Sequence, residues 1–198
     1  MPVSSEDRHY EEELSRRKRR ERRRAGSKAL GGLVEFVIIL AISFVLVFGV
    51  VRPYIVEAFY IPSESMVPTL MVGDRVLVNK FIYRFTEPRR GDIVVFKSVE
   101  GGGEDLIKRV VGIPGDRIAV RDGRLYVNGE PRREPYVNRK FPDHSFFGPK
   151  RVPPEHVFVM GDNRANSRDS RYFGPVPYEN LEGRAFLLFW PPDRIRLL

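Results

Sequence analysis

Residues 117–128 read Arg117-Ile118-Ala119-Val120-Arg121-Asp122-Gly123-Arg124-Leu125-Tyr126-Val127-Asn128. Apolar and polar side chains alternate on both sides of Asp122-Gly123, and an Asp-Gly pair between alternating runs is the strongest short-range hairpin signal. The stretch predicts two antiparallel strands, and its surroundings continue the pattern. Arg75–Asn79, Asp92–Phe96 and Ile107–Val111 are short and β-branched, and further strands are expected at His156–Met160 and Arg184–Trp190. No helix-period segment competes among them. From about Pro131 to Pro154 the chain is rich in Pro, Arg, Asn and Phe without periodicity, which reads as an excursion or long loop. The expectation is a mainly β fold, an antiparallel sheet domain over residues 53–198.

The 198-residue chain holds 34 Lys+Arg against 26 Asp+Glu and no Cys, so a disulfide scaffold, a thiolate nucleophile and a Cys-ligated metal are excluded. Three scattered histidines, His9, His144 and His156, leave little for metal chemistry. No metal or cofactor is expected. A net charge of +8 raises the question of nucleic acid, but residues 1–30 hold ten cations and six anions, so half of the excess lies there, mostly in the run 16–24. Residues 1–29 are expected to form a polar arm without stable structure, because they lack the apolar side chains that offset ordering entropy.

Residues 33–51, LVEFVIILAISFVLVFGVV, carry one charge, Glu35. Nineteen helical residues at about 1.5 Å each come to roughly 29 Å, close to the hydrocarbon thickness of a bilayer. A single transmembrane anchor over residues 30–52 is expected. The run is too long for the apolar part of a cleaved signal peptide and is followed by Arg52-Pro53-Tyr54 in place of a small-residue cleavage site. Basic residues flanking a span stay on the cytoplasmic side, so the arm is expected inside the plasma membrane, touching anionic lipid, and residues 53–198 outside. That separation of cations from the folded part argues against a nucleic-acid partner.

Three segments can carry chemistry. Tyr60-Ile61-Pro62-Ser63-Glu64-Ser65-Met66-Val67-Pro68-Thr69-Leu70 places two hydroxyls between prolines that suit a rigid, non-helical loop. Asp105-Leu106-Ile107-Lys108-Arg109-Val110-Val111-Gly112-Ile113-Pro114-Gly115-Asp116 sets Lys108 in an apolar strand, and Gly161–Arg171 is dense in side chains able to cap, pair and hydrogen-bond. Taken singly, a Ser-rich turn, a solvated strand Lys and a surface loop are the blander readings. Neither His144 nor His156 has an acid and a nucleophile nearby in recognisable pattern, there is no G-x-S-x-G, and Ser15 to Lys18 is the lone S-x-x-K, in the arm. A serine with a lysine base from another strand remains. Such a lysine must be neutral, and an apolar setting that lowers its pKa from about 10.4 to about 7–8 is required.

The three segments, in this order after an apolar anchor, resemble bacterial type I signal peptidase, a Ser-Lys serine protease. Glu64 stands where that family often has Gly, Ala165 where it often has Asp, and Leu106 where some members carry Tyr. The resemblance implies Ser65 as nucleophile and Lys108 as general base, an oxyanion hole from the Ser65 N–H and the Ser63 hydroxyl, and Ser167 orienting the Lys108 amine. It further implies that Arg109, Asp162, Asp169 and Arg171 brace the site and that Phe59, Ile61, Pro62, Leu70, Leu106 and Ile107 wall shallow apolar pockets. The implied substrates are exported preproteins cut after a small-x-small motif, with the secretion machinery as a partner. Two rivals are a non-catalytic, membrane-anchored β module that binds an envelope partner, and a Ser-Lys autoprotease. The first does not need Ser65 together with Lys108, and the second lacks a DNA-binding domain here.

Overall fold

The computed structural model describes residues 35–51, 55–138 and 140–198. The arm at 1–29, the first residues of the expected anchor and residues 52–54 lie outside them. The chain divides into two compact units, Met1–Val51 and Arg52–Leu198.

In the first unit, residues 35–46 form an α-helix, α1, and Val47–Val51 continue it as a π-helical turn. Its large apolar side chains are exposed, from Phe36 to Phe48, and the Phe44 and Phe48 rings stack at 4.4 Å. Among the described residues no helix is long and apolar enough to cross a membrane. The described part of the expected anchor passes from α to π geometry over Val47–Val51, a turn that contains Gly49.

The second unit is built on two antiparallel sheets. Strands β1 (Val56–Tyr60), β2 (Arg75–Asn79), β3 (Ile93–Lys97) and β4 (Asp105–Gly112) open the larger sheet. It is completed by β9 (His156–Met160), β10 (Val176–Pro177), β11 (Leu181–Trp190) and β12 (Arg196–Leu197). The order is β1-β2-β11-β3-β4-β9-β10, with β12 also on β11. The smaller sheet, in the order β7-β6-β5-β8, holds β5 (Arg117–Arg121), β6 (Arg124–Val127), β7 (Glu130–Pro131) and β8 (Phe147–Arg151). The hairpin that opened the sequence reading joins β5 to β6. Asp122 and Gly123 take φ of 48° and 70°, the left-handed pair that matches the twist of a two-residue hairpin.

Two differences from the sequence reading stand out, one of them in the excursion at 131–154, which contributes β8 and the last residue of β7. Strand β8 has almost no apolar alternation of its own. Phe147 alone packs inward, its ring 5.1 Å from that of Phe158, and pairing with β5 supplies the rest. The other is a one-turn helix, α2 (Ser170–Phe173), too short for a periodic signal and held by the Asp169 carboxylate, which accepts from the Arg171 N–H. Strand β1, also unpredicted, is an edge strand with two exposed residues in its middle.

Strand β4 positions the site. It lies between β3 and β9, and its residues from Ile107 to Gly112 are all buried. One apolar group gathers Ile61, Met66, Leu70, Val76, Ile93 and Ile107; another, on Val94, Phe96, Val110 and Val159, takes Leu106. A third, around Ile118, Leu125 and Phe158, fills the smaller sheet.

The glycines of this smaller sheet separate two costs. A Cβ on Gly123 would fall 1.9 Å from the Asp143 carbonyl oxygen, whereas Gly129, at φ 89°, has open space around it. Gly129→Ala therefore costs only the left-handed conformation, about 1–2 kcal/mol. Gly123→Ala must also displace backbone and costs clearly more. Equal shifts of the two variants in denaturant unfolding would show that the 143–145 segment yields freely.

Candidate active site

The turn that bears Ser65 is fixed by what flanks it. Ser63 is extended, Glu64–Met66 make one turn of 3-10 helix, and the fully buried Met66 anchors that turn in the core beside Ile61 and Leu70. The Leu70 N–H donates to the Met66 carbonyl at 2.9 Å, and the Ile61 N–H to that of Asp74 at 2.9 Å. Pro62 and Pro68, both exposed, bracket the turn, and the loop expected to be non-helical proves to hold this single tight turn.

Lys108 comes from β4, opposite Val94 of β3. Its Nζ stands 2.8 Å from Ser65 Oγ and donates to the Ile107 carbonyl at 3.0 Å. With the side chain buried, removal of water lowers its pKa from 10.5 to about 8, against a smaller upward pull from the Asp169 carboxylate. Ser63 Oγ lies 3.3 Å from Ser65 Oγ.

Around this pair the charges are matched. Arg109 donates twice to Asp162, at 2.9 and 2.7 Å, and stacks on Tyr136 with its guanidinium 4.0 Å from the ring centre. Asp162 also accepts from the Thr69 hydroxyl at 2.5 Å, which ties β4, the nucleophile loop and the Gly161–Arg171 loop together. Asp169 accepts from the Gly161 N–H and from Arg171, which reaches on to Asp143 at 2.7 Å. Arg164, with its guanidinium fully buried, is matched by Glu134 at 2.5 Å. Bidentate pairing of this kind is what a buried guanidinium requires.

Some expected residues stand elsewhere than the resemblance implies. The buried Ser167 hydroxyl has no hydrogen-bond partner, so the expected bond to the Lys108 amine is not made. The amine's contacts go to Ser65 and to its own strand. Nor do the six proposed pocket residues share one wall. Ile61 and Leu70 are 1% and 0% exposed, Phe59 packs against their group, Pro62 is exposed, and alternation along β4 sends Leu106 and Ile107 to different apolar groups. Two clefts of about 400 and 420 Å³ occur in this unit, lined by residues that include Arg124 and Arg164 in one and Arg109 and Tyr136 in the other; Ser65 and Lys108 line neither. Among the described residues no cluster of His, Asp or Glu could hold a metal ion.

Residues to which the sequence reading gave no role also shape the site. The Asn163 N–H donates to the Ser65 carbonyl at 3.0 Å and its side-chain amide to the Glu64 carbonyl at 3.1 Å, so one residue pins two successive peptides of the turn that bears Ser65. Gly161 allows the approach, since a Cβ there would fall 2.4 Å from the Ser65 carbonyl oxygen and 2.3 Å from Ser167 Oγ. Glu134 and Asp143 come from the aperiodic excursion, where nothing in the sequence distinguishes them from surface acids.

A family model described as "Signal peptidase, peptidase S26" matches residues 33–190, which include every residue of this site. The chain belongs to the signal peptidase S26 family. Signal peptidase I of Leptolyngbya laminosa is 45% identical over 175 residues, 85% of this chain and 85% of that one. Probable signal peptidase I-2 of Synechocystis is 43% identical over 174 residues, covering 85% and 76%. A crystal structure of a signal peptidase I from Enterococcus faecalis, 35% identical, covers 50% of this chain and 97% of its own with a TM-score of 0.44. The S26 signal peptidases are serine peptidases, and this chain is one of them.

The close approach at Gly161 makes a test for this signal peptidase. Gly161→Ala pushes on the Ser65 backbone and on Ser167 together, and misplacement by about 1 Å costs on the order of 100-fold in rate. A kcat drop of that size, with the fold retained by circular dichroism, is expected. Near-normal kcat would show that the turn and the loop part without consequence.

Proposed function

We propose that this chain is a membrane-bound serine endopeptidase that removes N-terminal signal peptides from exported preproteins, with Ser65 and Lys108 as its catalytic dyad. The observation that carries the reading is the 2.8 Å separation of Ser65 Oγ from a buried amine whose pKa is lowered to about 8. A neutral Nζ accepts the hydroxyl proton as Oγ attacks the scissile carbonyl, and the ammonium so formed protonates the leaving amine. Water, activated by the same amine, then hydrolyses the acyl-enzyme. The Ser65 N–H and the Ser63 hydroxyl stabilise the oxyanion, the latter supported by its 3.3 Å distance to Ser65 Oγ. Arg109, Asp162, Asp169 and Arg171 hold the loops around the dyad and do not touch the reacting atoms. A binding module has no use for a buried amine of lowered pKa set against a serine hydroxyl.

Cleavage after a small-x-small motif belongs to the same proposal, as do an anchor at residues 30–52, a cytoplasmic arm and an extracytoplasmic catalytic unit. The nineteen-residue apolar run and its basic flank support the topology. Lipid is then a permanent neighbour, and the secretion machinery supplies the substrate.

Ser65→Ala and Lys108→Ala each abolish preprotein cleavage by the full chain in detergent, and the double variant is no worse than either, because the two act as a unit. Substantial cleavage by either folded variant sinks the dyad. Ser63→Ala lowers kcat by about 10²–10³ and leaves KM nearly unchanged, as an oxyanion donor acts in the transition state. A change in KM alone would make Ser63 a pocket residue.

Protonation gives a separate check. Activity rises with pH along a limb centred near 8, where the amine loses its proton. Between about 8 and 10.5 the unfolded chain binds more protons than the folded one, so stability rises with pH across that window, and the penalty is complete below pH 8. Its size is on the order of 3 kcal/mol. Lys108→Met is therefore inactive yet more stable than the parent at pH 7, with an advantage that shrinks towards pH 10.5. Strong destabilisation by this substitution would make Lys108 a charged structural partner and end its role as base.

A further inference from the structure

Glu64 lies between the two hydroxyls of the proposed active site, and its side chain is exposed. The cations of the neighbouring strand and loop are engaged elsewhere: Lys108 on Ser65 and the Ile107 carbonyl, Arg109 on Asp162, Arg164 on Glu134, Arg168 on Glu100 and Arg171 on Asp169 and Asp143. Among the described residues Glu64 has no Lys, Arg or His partner. Its one side-chain contact is a long hydrogen bond, 3.4 Å, accepted from the Asn166 amide. Its position is not left to chance, because its own carbonyl accepts from the Asn163 side chain and its peptide opens the tight turn that carries Ser65. An uncompensated carboxylate is thus built into the turn that presents the nucleophile, a residue away from the atom that attacks.

We propose that Glu64 is a specificity-determining residue that favours preproteins with a cationic side chain in the first residues after the scissile bond and disfavours those with an acidic one there. The inference rests on the peptidase reading above. The segment before the scissile bond is apolar and small, so the charged variation among substrates falls on the segment after it. A chain seated on Ser65 carries those residues within a few ångströms of the turn, since an extended chain advances about 3.3 Å per residue. At roughly 6 Å and an effective dielectric constant near that of a wet surface, one unit charge shifts binding by a few-fold in each direction. Substrates differing by Lys against Glu are then separated by about tenfold. Arg168, already bound to Glu100, does not cancel the effect.

The test uses the full chain in neutral detergent and one preprotein made with Lys, Gln or Glu at the second residue after the cleavage site. For the parent enzyme, kcat/KM is expected to fall in the order Lys, Gln, Glu, with about tenfold between the extremes at low salt and less at 0.5 M NaCl. In Glu64→Gln the ratio collapses to within about twofold, and in Glu64→Lys the order reverses. Circular dichroism checks that each variant is folded, and Asn166→Ala, which frees the carboxylate without removing it, keeps the order. An unchanged Lys-to-Glu ratio in Glu64→Gln overturns the proposal. So does an equal gain in kcat on all three substrates, which would make the carboxylate a drag on the oxyanion and not a reader of sequence. Failure of the peptidase reading looks different: the Gln substrate is then not cleaved by the parent at all, or is cleaved equally by Ser65→Ala.

Discussion

In the proposed mechanism an amine must accept a proton near neutral pH, which requires keeping it from water, and here it is placed on an interior strand of a sheet. Lys108 shares β4 with residues that are buried from Ile107 to Gly112, and its partner across β3, Val94, is wholly enclosed. No cationic neighbour is needed to lower its affinity for protons, since burial is the main cause. The cost is borne by the fold, which must carry a poorly solvated group in its core.

Charge placement follows from the same constraint. A carboxylate near Lys108 draws a proton back onto it, and Asp169 does this in part. Arg171, bound to Asp169 through Nε and to Asp143 through a second nitrogen, draws the field of that carboxylate away from the amine. Arg109 and Asp162 pair on the other side. Ion pairs of this sort are weak sources of net stability, but losing one partner leaves a buried charge unmatched. Their use here is to fix three loops around Ser65 and Lys108.

The mainly β character was legible because alternation and turn chemistry are local: Asp122-Gly123 names its hairpin, and β2, β5 and β9 have the bounds the pattern predicts. Strand β8 was illegible because pairing with β5, and not its own residues, makes it a strand. At the site, eliminating other chemistries led only as far as a serine with a lysine base, and it was the resemblance that pointed to Ser65 and Lys108, which the fold brings to 2.8 Å. Asn163 and Gly161 could not be singled out, because their part depends on a backbone approach between segments about a hundred residues apart. Glu134 and Asp143 gave still less warning, being acids in a stretch without pattern. Of the expected pocket residues, Ile61, Leu70, Ile107 and Phe59 gather in one apolar group, while Leu106, adjacent to Ile107 on the strand, faces the opposite way.

The fully buried Met66, one residue beyond the nucleophile, has a consequence for motion. Local openings of a folded protein start where few side chains are enclosed, and they spare segments pinned in the core. With Ile61, Met66 and Leu70 all enclosed in one apolar group, the turn bearing Ser65 cannot fray by itself. The Val67 and Leu70 amide protons, bonded to the Glu64 and Met66 carbonyls, are therefore expected to exchange slowly, whereas the Ser65 N–H, free for an oxyanion in the proposed mechanism, does not share that protection. If Ser65 is the nucleophile proposed above, substrates come to a turn anchored at both ends in the core, and adjustment on binding falls to the chains around it.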